Sequence, residues 1–167
     1  VRGVPGEPQA RVVLVEPRDS RNVGAVARAM ANLGFSDLRL VSPRGYDREQ
    51  AGVTARNASP ILDAATFHDD LDDAVADVVD VVGLALRAGP SPARCVSLPE
   101  WAARRAEVPT ALVFGPEDDD LRHEHLDLCR WIVRIPTRAA YPSLNLAQSV
   151  LVTLYEIART PPPSTPP

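Results

Sequence analysis

Short apolar runs rich in valine alternate along the chain with segments of helical periodicity. Because the runs are continuous rather than interrupted at every second residue, they predict strands that are buried on both faces of a sheet. The predicted strands are Arg11–Glu16, Asp37–Val41, Leu62–Phe67, Val78–Ala85, Thr110–Gly115 and Trp131–Ile135. The predicted helices are Asn22–Leu33, residues 48–58, Leu71–Ala76, Pro99–Ala106, Leu121–Cys129 and Ser143–Ala158. This alternation predicts an α/β domain with a mostly parallel sheet and helices on both faces.

The last predicted helix has the strongest apolar pattern in the chain. Its main stripe recurs at intervals of three and four residues, at Leu144, Ala147, Leu151, Leu154 and Ala158. Further apolar residues widen the surface beyond that stripe: Val150, Val152 and Ile157. A helix that is apolar nearly all round needs cover on more than one side. In so short a chain a second copy could supply that cover, so the pattern favours a homodimer.

Length and composition narrow the class of protein. The 167 residues suit one domain, and 45% apolar with 24% charged residues is typical of a globular protein. No apolar stretch approaches the roughly 20 residues of a membrane span. The two cysteines cannot form a disulfide framework, and no signal-peptide pattern is seen, so we expect a reducing, cytoplasmic location. We expect a flexible arm at 1–10, a globular body at 11–159 and a disordered proline-rich tail at 160–167.

Charge is unevenly distributed along the chain. The net charge of −4 argues against binding of nucleic acid through bulk positive charge. Four arginines nevertheless cluster near the beginning, at Arg11, Arg18, Arg21 and Arg28, whereas the stretch between Arg56 and Arg87 carries seven aspartates and neither lysine nor arginine. An anionic ligand is therefore expected to approach the arginine-rich edge.

The first motif, Asn22-Val-Gly24-Ala-Val-Ala-Arg28, follows the first predicted strand. In a purely structural interpretation, Asn22 is the N-cap, Gly24 allows close packing and Arg28 is solvated. In a functional interpretation, Arg28 folds back over Gly24 beside the free N–H groups of the helix start and forms a phosphate pocket. The motif alone leaves both open, and it lacks the spacing of a dinucleotide fingerprint.

The second motif, Leu112-Val-Phe-Gly115-Pro-Glu117, leaves a predicted strand. A glycine at a strand end commonly just forms a turn. A carboxylate two residues later would lie at the carboxyl edge of a parallel sheet, where α/β proteins bind ligands.

The third motif runs from Ile135-Pro136 to Tyr141-Pro142-Ser143-Leu144-Asn145 and into the last helix. Structurally, Ser143 would be the N-cap of that helix and Asn145 a first-turn residue. Functionally, a loop held by two prolines would offer main-chain groups and the Ser143 and Asn145 side chains to a ligand.

The sequence signal for a metal site is weaker than the signal of the three motifs. His123 and His125 are two residues apart, so on a helix they point in different directions, and Cys129 does not complete a known metal-binding spacing. We therefore expect no metal site. The spacing of serine, cysteine and histidine also does not indicate a nucleophilic triad.

The three motifs, in this order and each at a strand-to-helix junction, resemble the SPOUT class of RNA methyltransferases, in particular the TrmH/TrmJ-type ribose 2′-O-methyltransferases. The resemblance covers about residues 11–158 and is carried by VLVEPRDSRNVGAVARAMANLGF, ALVFGPED and IPTRAAYPSLNLAQSVLVTLYE. It implies an α/β knot, with a deep trefoil knot in the C-terminal half, and a homodimer. It also implies S-adenosylmethionine as cofactor and an RNA substrate, which we expect to be a tRNA.

The resemblance also implies residue roles. The implied catalytic residues are Arg28, Asn22, Glu117, Ser143 and Asn145. The implied cofactor-binding residues are Leu84, Ala85, Leu86, Gly115, Ile135, Ser143, Leu144 and Asn145. For the RNA surface we expect Arg18, Arg21 and Arg28. Because arginine is a poor base, with a pKa above ~12, Arg28 is expected to clamp a phosphate and stabilise charge.

The chain departs from the family pattern at two places. The loop Leu84–Leu86 lacks the small polar residues that are common in relatives, and the family usually has a glycine before Leu121, where this chain has Asp118-Asp119-Asp120. The three aspartates favour an alternative function. The alternative is a non-catalytic dimer of the same fold that binds RNA or a protein partner.

Overall fold

The computed structural model describes residues 9–87 and 94–163, and within these ranges the strands form one seven-stranded parallel sheet. The strands are β1 Ala10–Val15, β2 Leu38–Val41, β3 Thr66–His68, β4 Asp80–Leu84, β5 Cys95–Ser97, β6 Thr110–Phe114 and β7 Trp131–Arg134. Their order across the sheet is β3-β2-β1-β6-β4-β7-β5. The predicted parallel α/β architecture is confirmed. Most of the expected arm and the end of the expected tail lie outside the described residues, although Ala10 already belongs to β1.

Seven α-helices connect these strands in the described ranges. They are α1 Ser20–Leu33, α2 Arg48–Ala55, α3 Ser59–Ala64, α4 Leu71–Ala74, α5 Leu98–Arg104, α6 His123–Leu128 and α7 Leu146–Arg159, with a 3₁₀ turn at Arg56–Ala58. Helix α1 ends at Gly34, whose φ of 81° suits the left-handed C-cap that glycine adopts without steric cost.

Helices cover both faces of the sheet, as predicted. Successive residues of a strand point to opposite faces, so Val12 and Leu14 of β1 join one core while Val13 and Val15 join the other. The first core also contains apolar residues of α1, α2, α3, α5 and α7. The second contains those of α4 and α6. No helix in the described ranges is both long and apolar enough to cross a membrane.

The predicted strand Leu62–Phe67 is wrong. Helix α3 occupies the first half of it, where Leu62 is buried, and only the three-residue edge strand β3 follows. A short apolar run does not by itself distinguish a strand from a buried helical turn. The sequence pattern also failed to predict β5, whose three residues lie at the other edge of the sheet and pair with β7.

The last helix is shorter than predicted and has a different buried face. It begins at Leu146 rather than Ser143, and its buried residues are Leu146, Val150, Thr153 and Leu154. Leu151, which was predicted to lie in the buried stripe, is 42% exposed. Together with Val152 at 40% and Tyr155 at 57%, it leaves an apolar surface facing away from the core.

Candidate functional site

A cavity of about 510 Å³ opens at the carboxyl ends of β4, β6 and β7. This is the edge of a parallel sheet at which α/β proteins bind ligands, and the volume lies within the roughly 300–1,000 Å³ of small-molecule sites. Of the predicted cofactor-binding residues, those that line the cavity are Leu84, Ala85, Leu86, Gly115, Ile135, Ser143 and Leu144. Asn145 is not among the lining residues. The structure thus brings together segments that are distant along the chain.

Gly115 permits a close approach within the cavity wall. A Cβ atom at this position would lie 2.9 Å from the main-chain nitrogen of Leu121 and 3.0 Å from the carbonyl carbon of Asp120. The loop that leaves β6 therefore folds back against the strand end. A side chain at position 115 would push this loop outward and change the shape of the cavity.

Three of the predicted catalytic residues form a chain of hydrogen bonds beside the cavity. The Glu117 carboxylate accepts hydrogen bonds from the main-chain N–H groups of Arg18 and Asp19, at 2.9 and 3.0 Å, and from Nδ2 of Asn22 at 3.3 Å. Asn145 Nδ2 in turn donates to Asn22 Oδ1 at 3.1 Å. These hydrogen bonds connect the loop after β6, the start of α1 and the start of α7.

The helix caps differ from those predicted. Asp19, not Asn22, caps α1 by accepting a hydrogen bond from the Arg21 N–H at 2.8 Å. Asn145, not Ser143, caps α7. Because Asn22 lies in the first turn, its side chain is free to connect Glu117 with Asn145. Ser143 remains exposed on the cavity wall.

The predicted phosphate pocket between Gly24 and Arg28 is wrong. Gly24 is buried against α2, where a Cβ atom would lie 1.9 Å from the Ala51 carbonyl oxygen and 2.2 Å from Oγ1 of Thr54. The missing side chain thus allows two helices to approach closely, which was the structural interpretation of this glycine. The space over Gly24 is filled by α2 and is not open to a ligand.

The predicted RNA-binding arginines lie in α1 or just before it. Arg21 and Arg28, two helical turns apart, are exposed, and their side chains make no hydrogen bond or ion pair with any residue the structure describes. Arg18 instead forms an ion pair with Asp118. Arg28 does not line the cavity of its own chain.

A second ion pair at the cavity was not predicted from the sequence. Nη2 of Arg87 lies 3.0 Å from a carboxylate oxygen of Asp119, and both side chains are half exposed. No motif marks Arg87. Only the proximity of the loops after β4 and β6, which requires the fold, brings the two charges together.

His125 of α6 and Cys129, which follows that helix, serve packing. His125 is buried, which lowers its pKa, as does the positive charge of Arg122. Burial raises the pKa of the Cys129 thiol to about 12, so this thiol stays protonated, and its Sγ donates to the carbonyl oxygen of His125 at 3.3 Å. In the part of the chain that the structure describes, no three His, Cys, Asp or Glu side chains are arranged to hold a metal ion.

Comparison with known proteins identifies the family. A model described as the SpoU rRNA Methylase family matches residues 9–155. The chain belongs to the SpoU methylase family. The family match spans all three motifs as well as the cavity-lining segments after β4, β6 and β7.

Individual members of the SpoU methylase family are similar over most of the chain. The tRNA (cytidine-2′-O-)-methyltransferase TrmJ of Methanocaldococcus jannaschii is 40% identical over 151 residues, which cover 87% of this chain and 66% of that protein. The chain thus spans just under two thirds of this curated relative. The crystal structure of TrmJ from Z. mobilis ZM4 is 32% identical, with a TM-score of 0.81, and covers 93% of this chain and 72% of that one. An AdoMet-bound rRNA methyltransferase from Sinorhizobium meliloti is 26% identical, with a TM-score of 0.73, over 93% of this chain and 57% of that one.

Proposed function

We propose that this protein is an S-adenosylmethionine-dependent ribose 2′-O-methyltransferase and that its substrate is a tRNA. The observation that carries the proposal is the cavity at the carboxyl ends of β4, β6 and β7, built from the segments that the resemblance assigned to the cofactor. The similarity to TrmJ proteins, which are named for methylation of tRNA at this position, supports the choice of substrate.

The cavity suits this cofactor chemically. Leu84, Phe114, Val133 and Leu146 provide apolar walls for the adenine ring and the carbon chain beside the sulfur, and the strand ends provide main-chain polar groups. When bound, S-adenosylmethionine supplies a methyl group on a positively charged sulfur. The protein then has to align the ribose oxygen with that methyl group, which is mainly a positioning task.

Glu117 acts in this proposal as an orienting group rather than as a base. Its carboxylate is already engaged by two main-chain N–H groups and by Asn22, so it holds the start of α1 against the loop after β6. Asn22 in turn accepts a hydrogen bond from Asn145, which holds the start of α7 beside the start of α1. Ser143, exposed on the cavity wall, is left to contact the substrates.

Arg28 is proposed to act across a homodimer. Arginine remains protonated at neutral pH, so Arg28 serves as a clamp for an RNA phosphate and stabilises charge near the ribose oxygen. Its position outside the cavity of its own chain supports a site completed by a second copy. The exposed apolar residues Leu151, Val152 and Tyr155 of α7 provide a surface for that copy.

We also propose that the C-terminal half is knotted, as the resemblance implies. Two late strands are inserted between earlier neighbours: β6 lies between β1 and β4, and β7 lies between β4 and β5. A chain that returns twice into the middle of its sheet follows the kind of path that a knot requires.

The deciding experiment is transfer of a labelled methyl group from S-adenosylmethionine to unmodified tRNA, followed by mapping of the modified ribose. Incorporation at one 2′-hydroxyl is the expected result. Calorimetry with S-adenosylmethionine accompanies it. Absence of both cofactor binding at high concentration and methyl incorporation would overturn the proposal.

The alternative, a non-catalytic dimer that binds RNA or a protein partner, is favoured by one observation: Asp118, Asp119 and Asp120 all line the cavity. Binding of tRNA by a protein that does not bind S-adenosylmethionine would support this alternative.

A further inference from the structure

One carboxylate joins two of the loops that form the cavity wall. Oδ2 of Asp120 accepts hydrogen bonds from the main-chain N–H groups of Leu86, at 2.9 Å, and Arg87, at 2.6 Å. Its other oxygen, Oδ1, accepts from the N–H of Leu121 at 2.9 Å. The side chain thus connects the loop after β4 with the loop after β6, although these loops are distant along the sequence.

Asp120 occupies its place without backbone strain. The non-glycine residues with positive φ in the described ranges are Glu16, Ser42 and Arg56, so Asp120 does not need the conformational freedom of a glycine. The main chain of Asp120 and Leu121 packs closely on Gly115. The strand end therefore supports the carboxylate from one side while the loop after β4 binds it from the other.

The first part of the loop after β4 depends on such support because of its composition. Leu84, Ala85 and Leu86 offer no polar side chain, so these three residues can contact a ligand's polar atoms only through their main chain. The Ala85 N–H donates to the Val133 carbonyl oxygen at 3.2 Å, and Asp120 takes the next two N–H groups. Two successive N–H groups that converge on one anion form a strong, directional contact. This contact sets the direction of the loop's remaining main-chain groups.

We propose that Asp120 is a positioning residue for the cofactor, which fixes the main chain of residues 84–87 in the conformation that binds S-adenosylmethionine. The identity of the ligand rests on the proposed function, whereas the fixing of the loop does not. Asp120 itself needs no contact with the cofactor, because its hydrogen bonds are made within the protein.

The test compares Asp120→Ala and Asp120→Asn with Asp118→Ala. Alanine removes the acceptor oxygens, whereas asparagine keeps one of them without the charge and guards against a variant that fails to fold. Asp118 is two residues away and pairs with Arg18 through its side chain. Its replacement removes a charge near the cavity, together with the ion pair to Arg18, but removes no hydrogen bond to the loop after β4. A rise of Kd confined to the Asp120 variants therefore cannot be ascribed to the loss of a negative charge.

Two measurements are made on each variant. The first is hydrogen exchange of the Leu86 and Arg87 amides without cofactor. The second is the Kd for S-adenosylmethionine by calorimetry. For Asp120→Ala we expect faster exchange of both amides and a Kd raised by about tenfold, which corresponds to a loop that holds the binding conformation in about a tenth of the molecules. Asp120→Asn should be intermediate, and Asp118→Ala should change the Kd less than about threefold.

Each outcome decides one part of the proposal. Unchanged amide exchange in Asp120→Ala would show that Asp120 does not hold the loop. Faster exchange with an unaltered Kd, or an equal rise of Kd in Asp118→Ala, would refute its role toward the cofactor. If the wild-type protein itself does not bind S-adenosylmethionine, the proposed function fails and the cofactor role with it, while amide exchange still decides whether Asp120 fixes the loop.

Discussion

The side chain of Asn145 performs two tasks that substitutions can separate. Its Oδ1 caps α7 by accepting hydrogen bonds from the N–H groups of Ala147 and Gln148, at 2.9 and 3.3 Å. Its Nδ2 donates to Asn22 and so connects α7 with α1 and Glu117. Asn145→Ala removes both, whereas Asn145→Ser keeps an N-capping hydroxyl and removes only the connection to Asn22.

The two variants should differ in stability by a measurable amount. Loss of an N-cap costs about 1 kcal/mol, and loss of one hydrogen bond costs about 1 kcal/mol more. For a domain of this size each kcal/mol lowers Tm by roughly 2–4 °C. We therefore expect thermal denaturation to show a fall in Tm of about 4–8 °C for Asn145→Ala and about half of that for Asn145→Ser.

Methyl transfer to tRNA distinguishes the tasks more clearly. Both Asn145 variants should lose roughly 10- to 100-fold in kcat/KM, because a misplacement of about 1 Å in a positioned site costs that order. The matched control is Asp47→Ala, which removes the cap of α2, with its hydrogen bonds at 2.8 and 3.1 Å, at a residue that does not line the cavity. It should lower Tm as the removal of a cap does and leave methyl transfer intact. Full activity of Asn145→Ser would refute the role of the Asn22 connection.

Three further predictions concern individual charged residues. Arg28→Lys should lower kcat/KM for tRNA by roughly tenfold without changing the Kd for cofactor, because an ammonium group cannot form paired hydrogen bonds with a phosphate. Joint replacement of Arg18 and Arg21 by alanine should weaken the salt dependence of RNA binding. The slope of the logarithm of the association constant against the logarithm of the salt concentration should fall in magnitude by about one for each phosphate that the variant no longer binds. An unchanged slope would exclude both arginines from the RNA surface. Asp80 is 5% exposed, its Oδ1 lacks a partner among the described residues, and burial raises its pKa. Its ionised form therefore destabilises the fold as pH rises through the raised pKa, so Asp80→Asn should be more stable than the wild type at pH 7, a gain that thermal denaturation should show vanishing below about pH 4.

The sequence could predict the position of the cavity because of a general property of parallel sheets. The carboxyl ends of parallel strands meet at one edge, so motifs that follow β1, β6 and β7 must lie near one another. The valine-rich runs were sufficient to identify those strands. The edge strand β5 escaped detection because its three residues, Cys95–Ser97, carry no apolar pattern.

The contacts made by individual side chains were harder to predict. Asp19 and Asn22 are both good N-caps, as are Ser143 and Asn145, and residue type does not decide which of two neighbours leaves the helical conformation. Gly24 poses the same kind of ambiguity, because a missing side chain allows either a ligand or another helix to approach. In each case the answer depended on an element that packs from elsewhere in the chain.

The acidic segment illustrates why charge along a sequence differs from charge at a site. Three adjacent aspartates predict repulsion of RNA phosphate, yet Asp118 pairs with Arg18, 100 residues away, and Asp119 pairs with Arg87, 32 residues away. Asp120 is bound by main-chain N–H groups. The two ion pairs are exposed, and such pairs contribute only about 0–1 kcal/mol each. RNA phosphates can therefore replace the aspartates as partners of both arginines at little cost in free energy. The segment is thus compatible with RNA binding despite its charge.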